Sequence, residues 1–342
     1  MSQPENPASN ASVKWIQPLP PLRLSNNPLL AELPELRERF TGFIHQLQDD
    51  LCARFEALDG SKGIPGSRFH EDRWDRPEGG GGRSRVIENG AVLEKGGVNV
   101  SIVYGPLPDV LKDQHKNPGG QFFATGLSLV IHPWNPHVPT VHANWRMFIL
   151  SDDDGQPIDA WFGGGCDLTP YYLVEEDATH FHHVQASICE AHGADLYPNF
   201  KQQCDQYFWN HHRAEARGIG GLFYDYLRPK AEGRSLRQWF DFVTQNASFF
   251  ADAYFPVAHS HVFDEYSDAQ RWWQEVRRGR YAEFNLIHDR GTLFGLRTNG
   301  RIESILMSMP PRARWVYNHQ PNPGTPEAEL LAVLRNPRNW LD

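Results

Sequence analysis

Within the run Thr140 to Leu150, His142, Asn144 and Arg146 recur at every second position. Together they offer an acid–base group, an amide that both donates and accepts, and a cation shaped to bind carboxylates. Strand alternation puts these three on one face, followed by Phe148 and Leu150, and puts Val141, Ala143, Trp145, Met147 and Ile149 on the other. Three polar groups in a row on an otherwise apolar strand mark either a solvent-facing sheet or the floor of a pocket. The run Phe123 to His132 repeats the arrangement, with Ser128 and His132 on one face and Leu127, Leu129 and Ile131 on the other. As neighbours, the two strands offer Ser, His, His, Asn and Arg to one place.

Asp167 follows a strand that runs into Gly163, Gly164 and Gly165, where backbone can approach a ligand closely; the alternative role for this aspartate is capping a turn. His180, His182 and His183 lie on a predicted helix, with His211 and His212 on the next. His180 and His182 point to different sides of a helix, and neither HExxH nor a Cys/His zinc spacing occurs, so spacing alone does not support a dedicated metal site. Asn299-Gly300-Arg301 would present an arginine at a turn, as a carboxylate clamp or as ordinary surface charge. No GxSxG elbow is present. The glycine run from Gly79 to Gly82 lacks phosphate-loop spacing and reads as a loop, within a Gly- and Pro-rich stretch over 59–84.

These residues need a frame. Period-two alternation predicts strands at Val98 to Tyr104, Phe123 to His132, Thr140 to Leu150, Ile158 to Phe162 and Gly221 to Tyr226. It also predicts C-terminal strands at Tyr281 to Ile287, Thr292 to Arg297 and Arg301 to Met307, joined as hairpins at Asp289-Arg290-Gly291 and Asn299-Gly300. Helical spacing runs from about Pro28 to Leu58, and over Glu175 to Ala191, Pro198 to Ala216, Ser235 to Tyr254, Asp268 to Arg280 and Pro326 to Leu334. Strands come in runs and so do helices. The expected class is therefore α+β, with one large, mostly antiparallel sheet flanked by helices on both faces.

With 342 residues, 40% of them hydrophobic, the chain can build a core without metal or disulfide staples. Residues 1–28 read as a mobile N-terminal arm rich in Pro, Asn and Ser, and 29–342 as a single catalytic domain. A net charge of −9 gives no general attraction for nucleic acid or an anionic membrane, so an anionic substrate needs a local basic pocket. No apolar run spans a membrane, and four cysteines without a framework suit a reducing compartment; the expected location is cytoplasmic.

The segments WDRPEGGGGRSRV from Trp74, EKGGVNVS from Glu94, HPWNPHVPTVHANWR from His132, WFGGGCDLTPYY from Trp161, RGIGGLFYD from Arg217 and FNLIHDRGTLFGLRTNGRIESILMSMPP from Phe284 closely resemble aerobic coproporphyrinogen III oxidases. The resemblance covers roughly residues 35 to 342. It implies oxidative decarboxylation of two propionates of coproporphyrinogen III, on rings A and B, to vinyl groups, giving protoporphyrinogen IX for haem. Dioxygen is then the co-substrate and no organic cofactor is needed. By residue-wise match, His142 takes the place of a proton donor and Asp167 that of an aspartate engaging the pyrrole N–H groups. Ser128, Asn144, Trp145 and Arg146 match substrate contacts, as do Asn299, Gly300 and Arg301. The resemblance further implies a divalent metal at His132, His142, His182 and His212, against the spacing argument, and a homodimer with 281–316 at the interface. A metal-dependent oxygenase and a non-catalytic tetrapyrrole carrier are the rival readings.

Overall fold

The computed structural model describes residues 19–108, 112, 120–297 and 300–341. Of the arm expected at 1–28, residues 1–18 lie outside the described residues. Residues 19–27 are tied down: Arg37 Nη1 donates to Pro20 O at 2.9 Å and Ser25 Oγ to Pro157 O at 2.7 Å.

Seven antiparallel strands form the sheet. β1 (His70–Asp75), β2 (Gly80–Glu88), β3 (Leu93–Pro106), β4 (Gln121–Pro133), β5 (Thr140–Ser151) and β6 (Pro157–Thr169) pair in chain order. A two-residue ribbon, β7 (Trp209–Asn210) with β8 (Glu215–Ala216), precedes β9 (Gly220–Leu227), which pairs with β6. Helices α1 (Leu33–Asp59), α2 (Glu175–His192), α3 (Leu196–Tyr207), α4 (Leu236–Ser248) and α5 (Phe250–His261) belong with the apolar side of the sheet. There Trp145, Phe162, Met147 and Leu129 meet Phe40, Ile44, Phe240, Val243 and Phe250 in the main core. Along β5 the even positions from His142 to Phe148 are half-buried and the odd ones buried, as alternation predicts.

The opposite face is covered by α6 (Asp268–Ile287), α7 (Arg290–Arg297) and α8 (Ile302–Leu306), while α9 (Pro326–Arg335) packs Leu330 and Leu334 against Trp273 and Val276 of α6. Ser304 Oγ in α8 lies 2.7 Å from Ser84 Oγ, Asn99 Nδ2 donates to Ser304 O at 3.0 Å, and His132 Nε2 lies 2.9 Å from Ser308 O. Helices thus lie on both faces of the sheet.

This overturns the three C-terminal strands. Tyr281 to Ile287 completes α6, Thr292 to Arg297 lies in α7, and Arg301 to Met307 is α8 with its flanking residues. Alternation over six or seven residues does not separate strand from helix, and capping decides the matter. Ser267 and Gln270 close a capping box that starts α6, and Asp289 accepts from both N and Oγ1 of Thr292 at the start of α7, where a hairpin turn was expected. The Gly-rich loop is also corrected. Gly80, Gly81 and Gly82 lie within β2, because the Trp74 indole crosses directly over Gly82, where a Cβ would come within 2.3 Å of the ring. Two helices are shorter than expected: α3 stops at Tyr207, and a break at Phe249 separates α4 from α5.

Candidate active site

The site is built on the half-buried face of β4, β5, β6 and β9. His142 Nδ1 lies 2.7 Å from Oδ1 of Asp167, its cross-strand partner. Asp167 is 1% exposed, and Arg217 Nη2 donates to its two oxygens at 2.8 and 2.7 Å. Arg217 comes from the turn just before β9 and is buried too. Its Nη1 donates to Asn285 Oδ1 at 2.9 Å, and its guanidinium lies over the rings of Phe208, Tyr281 and Phe284. Burial by itself would raise the pKa of Asp167; the Arg217 charge and the His142 hydrogen bond outweigh it and hold the carboxyl below its ordinary value. An ionised carboxylate only accepts, so the His142 hydrogen bond fixes the tautomer: Nδ1–H donates to Asp167, and Nε2 is the nitrogen left for a ligand.

Four residues along β5 from His142, Arg146 Nη1 donates to Asn144 Oδ1 at 3.1 Å, and Arg146 Nη2 pairs with Asp225 Oδ2 at 2.9 Å. Arg290, the first residue of α7, stacks over Tyr207 and reaches toward the same Asp225 oxygen at 3.8 Å.

Cross-strand register adds a feature no single segment displays. Asp72, Ser84, Asn99, Ser128 and Asn144 are successive partners from β1 to β5, a polar row perpendicular to the strands. At ~4.8 Å per strand the row is about 19 Å long. Arg301, the residue before α8, stands at its far end and ion-pairs with Asp72; its Nη1 is buried and, among the described residues, has no hydrogen-bond partner.

The sequence expectations fare unevenly. His142, Asn144, Arg146, Ser128 and Asp167 come together on one face. Trp145 does not: its side chain is fully buried on the other face, with Nε1 donating to Asn246 Oδ1 at 3.0 Å, so alternation leaves only its backbone toward the site. Gly300 donates its N–H to Gly295 O at 2.8 Å, and Asn299 lies outside the described residues.

The four histidines expected to share a metal do not converge, and among the described residues no group of three or more His, Cys, Asp or Glu side chains is arranged to hold one. His132 is buried between Thr140 Oγ1 and Ser308 O, and burial followed by the Arg278 charge drives its pKa well below the ordinary value. His182 is wedged between the Tyr197 hydroxyl and Ile219 O, with burial taking its pKa down to about 3. His212 bonds Glu283 and His288 at 2.9 Å each. With His142 turned onto Asp167, these donors do not fit a common ion.

Arg217, Asn285, Asp225 and Arg290 were not foreseen. Arg217 sits 50 residues from its carboxylate, and the one cue was an arginine opening the glycine-rich run Gly218, Gly220, Gly221 at a strand mouth.

A family model described as coproporphyrinogen III oxidase matches residues 39–340. The chain belongs to this family. The chloroplastic oxygen-dependent coproporphyrinogen-III oxidase of Glycine max is 47% identical over 317 residues, covering 90% of this chain and 80% of the relative. The match takes in every element that carries the site, from α1 to the C-terminal helices. No helix among the described residues is long and apolar enough to cross a membrane.

Proposed function

We propose that the protein is an oxygen-dependent coproporphyrinogen III oxidase that converts the ring A and ring B propionates to vinyl groups, yielding protoporphyrinogen IX in haem biosynthesis. The observation that carries this reading is the buried Arg217–Asp167–His142 chain beside Arg146, at one end of a polar row that ends at Arg301. A flexible reduced macrocycle bearing several carboxylates calls for arginines set apart at the two ends of an extended face, which is what Arg146 and Arg301 provide. Ser128, Asn144 and the backbone at Gly300 supply neutral hydrogen-bonding groups between and beside them.

Each conversion removes carbon dioxide, a proton and two electrons from one propionate, and dioxygen with two protons accepts the electrons as hydrogen peroxide. The protein's share is positioning, charge and protons. Asp167, kept ionised by Arg217, fixes the tautomer and orientation of His142, so His142 Nε2 is the group that moves a proton to or from the pyrrole or the reduced oxygen. Asp167 reaches the macrocycle through His142, because both its oxygens are already engaged.

The test is an aerobic assay of chelator-treated protein with reduced coproporphyrinogen III, following vinyl product and oxygen uptake together. Turnover with oxygen uptake is expected. Recovery only on adding metal would favour the oxygenase, and binding without turnover the carrier.

A homodimer is also proposed. Leu286, Ile287, Leu296, Ile302, Trp315 and Tyr317 are large apolar side chains left exposed within one stretch of chain, Tyr317 completely so. That concentration marks an association surface. Sedimentation equilibrium should give a dimer for the native protein and a shift toward monomer for Ile287→Glu with Ile302→Glu; a native monomer at micromolar concentration would remove the proposal. A cytoplasmic setting accords with four buried, unbridged cysteines, and cell fractionation tests it.

A further inference from the structure

Asp225 lies on β9, at the end of the segment RGIGGLFYD, and three features are arranged around it. Its Oδ2 is 2.9 Å from Arg146 Nη2 and 3.8 Å from Arg290 Nη2, so guanidinium groups from the sheet and from α7 approach one carboxylate oxygen. The next residue, Tyr226, has a left-handed backbone with φ 54°, a conformation that is costly for an aromatic residue, and its N–H donates to Asp225 Oδ1 at 2.9 Å. Across the strand pair, Gly163 leaves the space the ion pair fills: a Cβ there would stand 2.7 Å from Asp225 Oδ1 and 3.0 Å from Arg146 Nε and Nη2. The pairing of β6 with β9 shifts register between Phe162 and Gly164, at this same point. A strained residue, a register shift and a required glycine all serve the location of one aspartate.

The geometry points to Asp225 as the positioning residue that gathers Arg146 and Arg290 into one receptor for a substrate propionate, an inference that rests on the function proposed above. Two guanidinium groups set side by side repel each other, and Arg290 is 60% exposed at its side chain, with the Tyr207 and Phe223 rings beneath it as its other support. Asp225 offsets that repulsion and leaves the receptor with a net charge of one, enough to hold a single carboxylate. Asn144 Oδ1 steadies the other side of Arg146, so the guanidinium keeps unused N–H groups for the incoming anion.

Asp225→Asn tests this, because the amide keeps the shape and an acceptor for the Tyr226 N–H while removing the charge. Binding of oxidised coproporphyrin III, which carries the same carboxylates but does not turn over, is measured by fluorescence, alongside steady-state kinetics with coproporphyrinogen III. Expected are a rise of about tenfold or more in both Kd and KM, with kcat changed less than threefold and thermal unfolding unaltered. Gly163→Ala keeps every charge but crowds the pair, and should move Kd in the same direction. In an Arg290→Gln background the effect of Asp225→Asn should shrink below threefold, the non-additivity expected of residues acting through one another. An unchanged or lowered Kd in Asp225→Asn would overturn the inference. Wild-type protein that binds coproporphyrin but does not turn over coproporphyrinogen III would overturn the proposed reaction but not this role, and wild-type protein that does not bind coproporphyrin would overturn both.

Discussion

Asp167→Asn is expected to lower kcat/KM by on the order of a thousandfold, chiefly through kcat. The carboxylate does together what an amide with one uncharged acceptor oxygen cannot: it accepts from His142 Nδ1 at 2.7 Å, accepts from Arg217 at both oxygens and neutralises that guanidinium in a fully buried setting. Removing the carboxylate that orients a catalytic imidazole in serine proteases costs on the order of 10^4 in kcat, which sets the scale. The same change leaves Arg217 buried and unpaired, a loss of about 3–5 kcal/mol of stability when one partner of a buried ion pair is removed. A dead enzyme could then be merely an unfolded one, and a second variant separates the two. Asp167→Leu with Arg217→Met replaces the whole pair by apolar side chains, which restores much of the stability but none of the chemistry. Unfolding curves and single-turnover product formation on the three proteins should show stability recovering and turnover staying lost. Recovery of turnover in the double variant would remove Asp167 from the mechanism.

How much of this could be seen beforehand follows from the range of the interactions. The faces of β5 were legible because alternation has a period of two and the strand is long, so His142, Asn144 and Arg146 fell together without any knowledge of neighbours. The same rule placed Trp145 on the wrong side for substrate contact, and the structure puts its side chain in the core. The polar row from Asp72 to Asn144 was legible only at its Ser128 and Asn144 end, since Asp72, Ser84 and Asn99 join it through a register between strands that no segment displays. Arg217 and Asp225 act on residues 50 and 79 positions earlier, pairings that only the β6–β9 contact creates. At the C-terminus short alternating runs were read as strands: the helix foreseen over Asp268 to Arg280 runs on to Ile287, and Asp289, read as part of a hairpin turn, caps the next helix. The four-histidine metal set came from the resemblance and against the spacing, and the structure makes His132 and His182 buried hydrogen-bonding groups and puts His212 in an ion-pair cluster around Glu283.

Arg146→Gln is expected to lower kcat/KM by about a hundredfold, and how the loss divides between KM and kcat says which propionate Arg146 holds. A charge-assisted hydrogen bond to a carboxylate is worth about 1.5–3 kcal/mol, and the fork of two such bonds accounts for a loss of this size. If the guanidinium gripped the propionate that reacts, it would stabilise the ground state more than the transition state, because negative charge leaves that carboxylate as carbon dioxide forms. Its removal would then raise KM and raise kcat. An arginine on a propionate that survives the reaction binds both states alike and fixes the macrocycle over His142, so its removal raises KM and lowers kcat through misplacement. Arg146 is itself held on both sides, by Asn144 and Asp225, beside the His142–Asp167 pair, an arrangement suited to holding a fixed reference point for a ring that must present first one propionate and then another. The expected pattern is therefore a KM raised about thirtyfold with kcat reduced severalfold. A rise in kcat would transfer Arg146 to the reacting carboxylate, and an unchanged kcat/KM would remove it from the receptor.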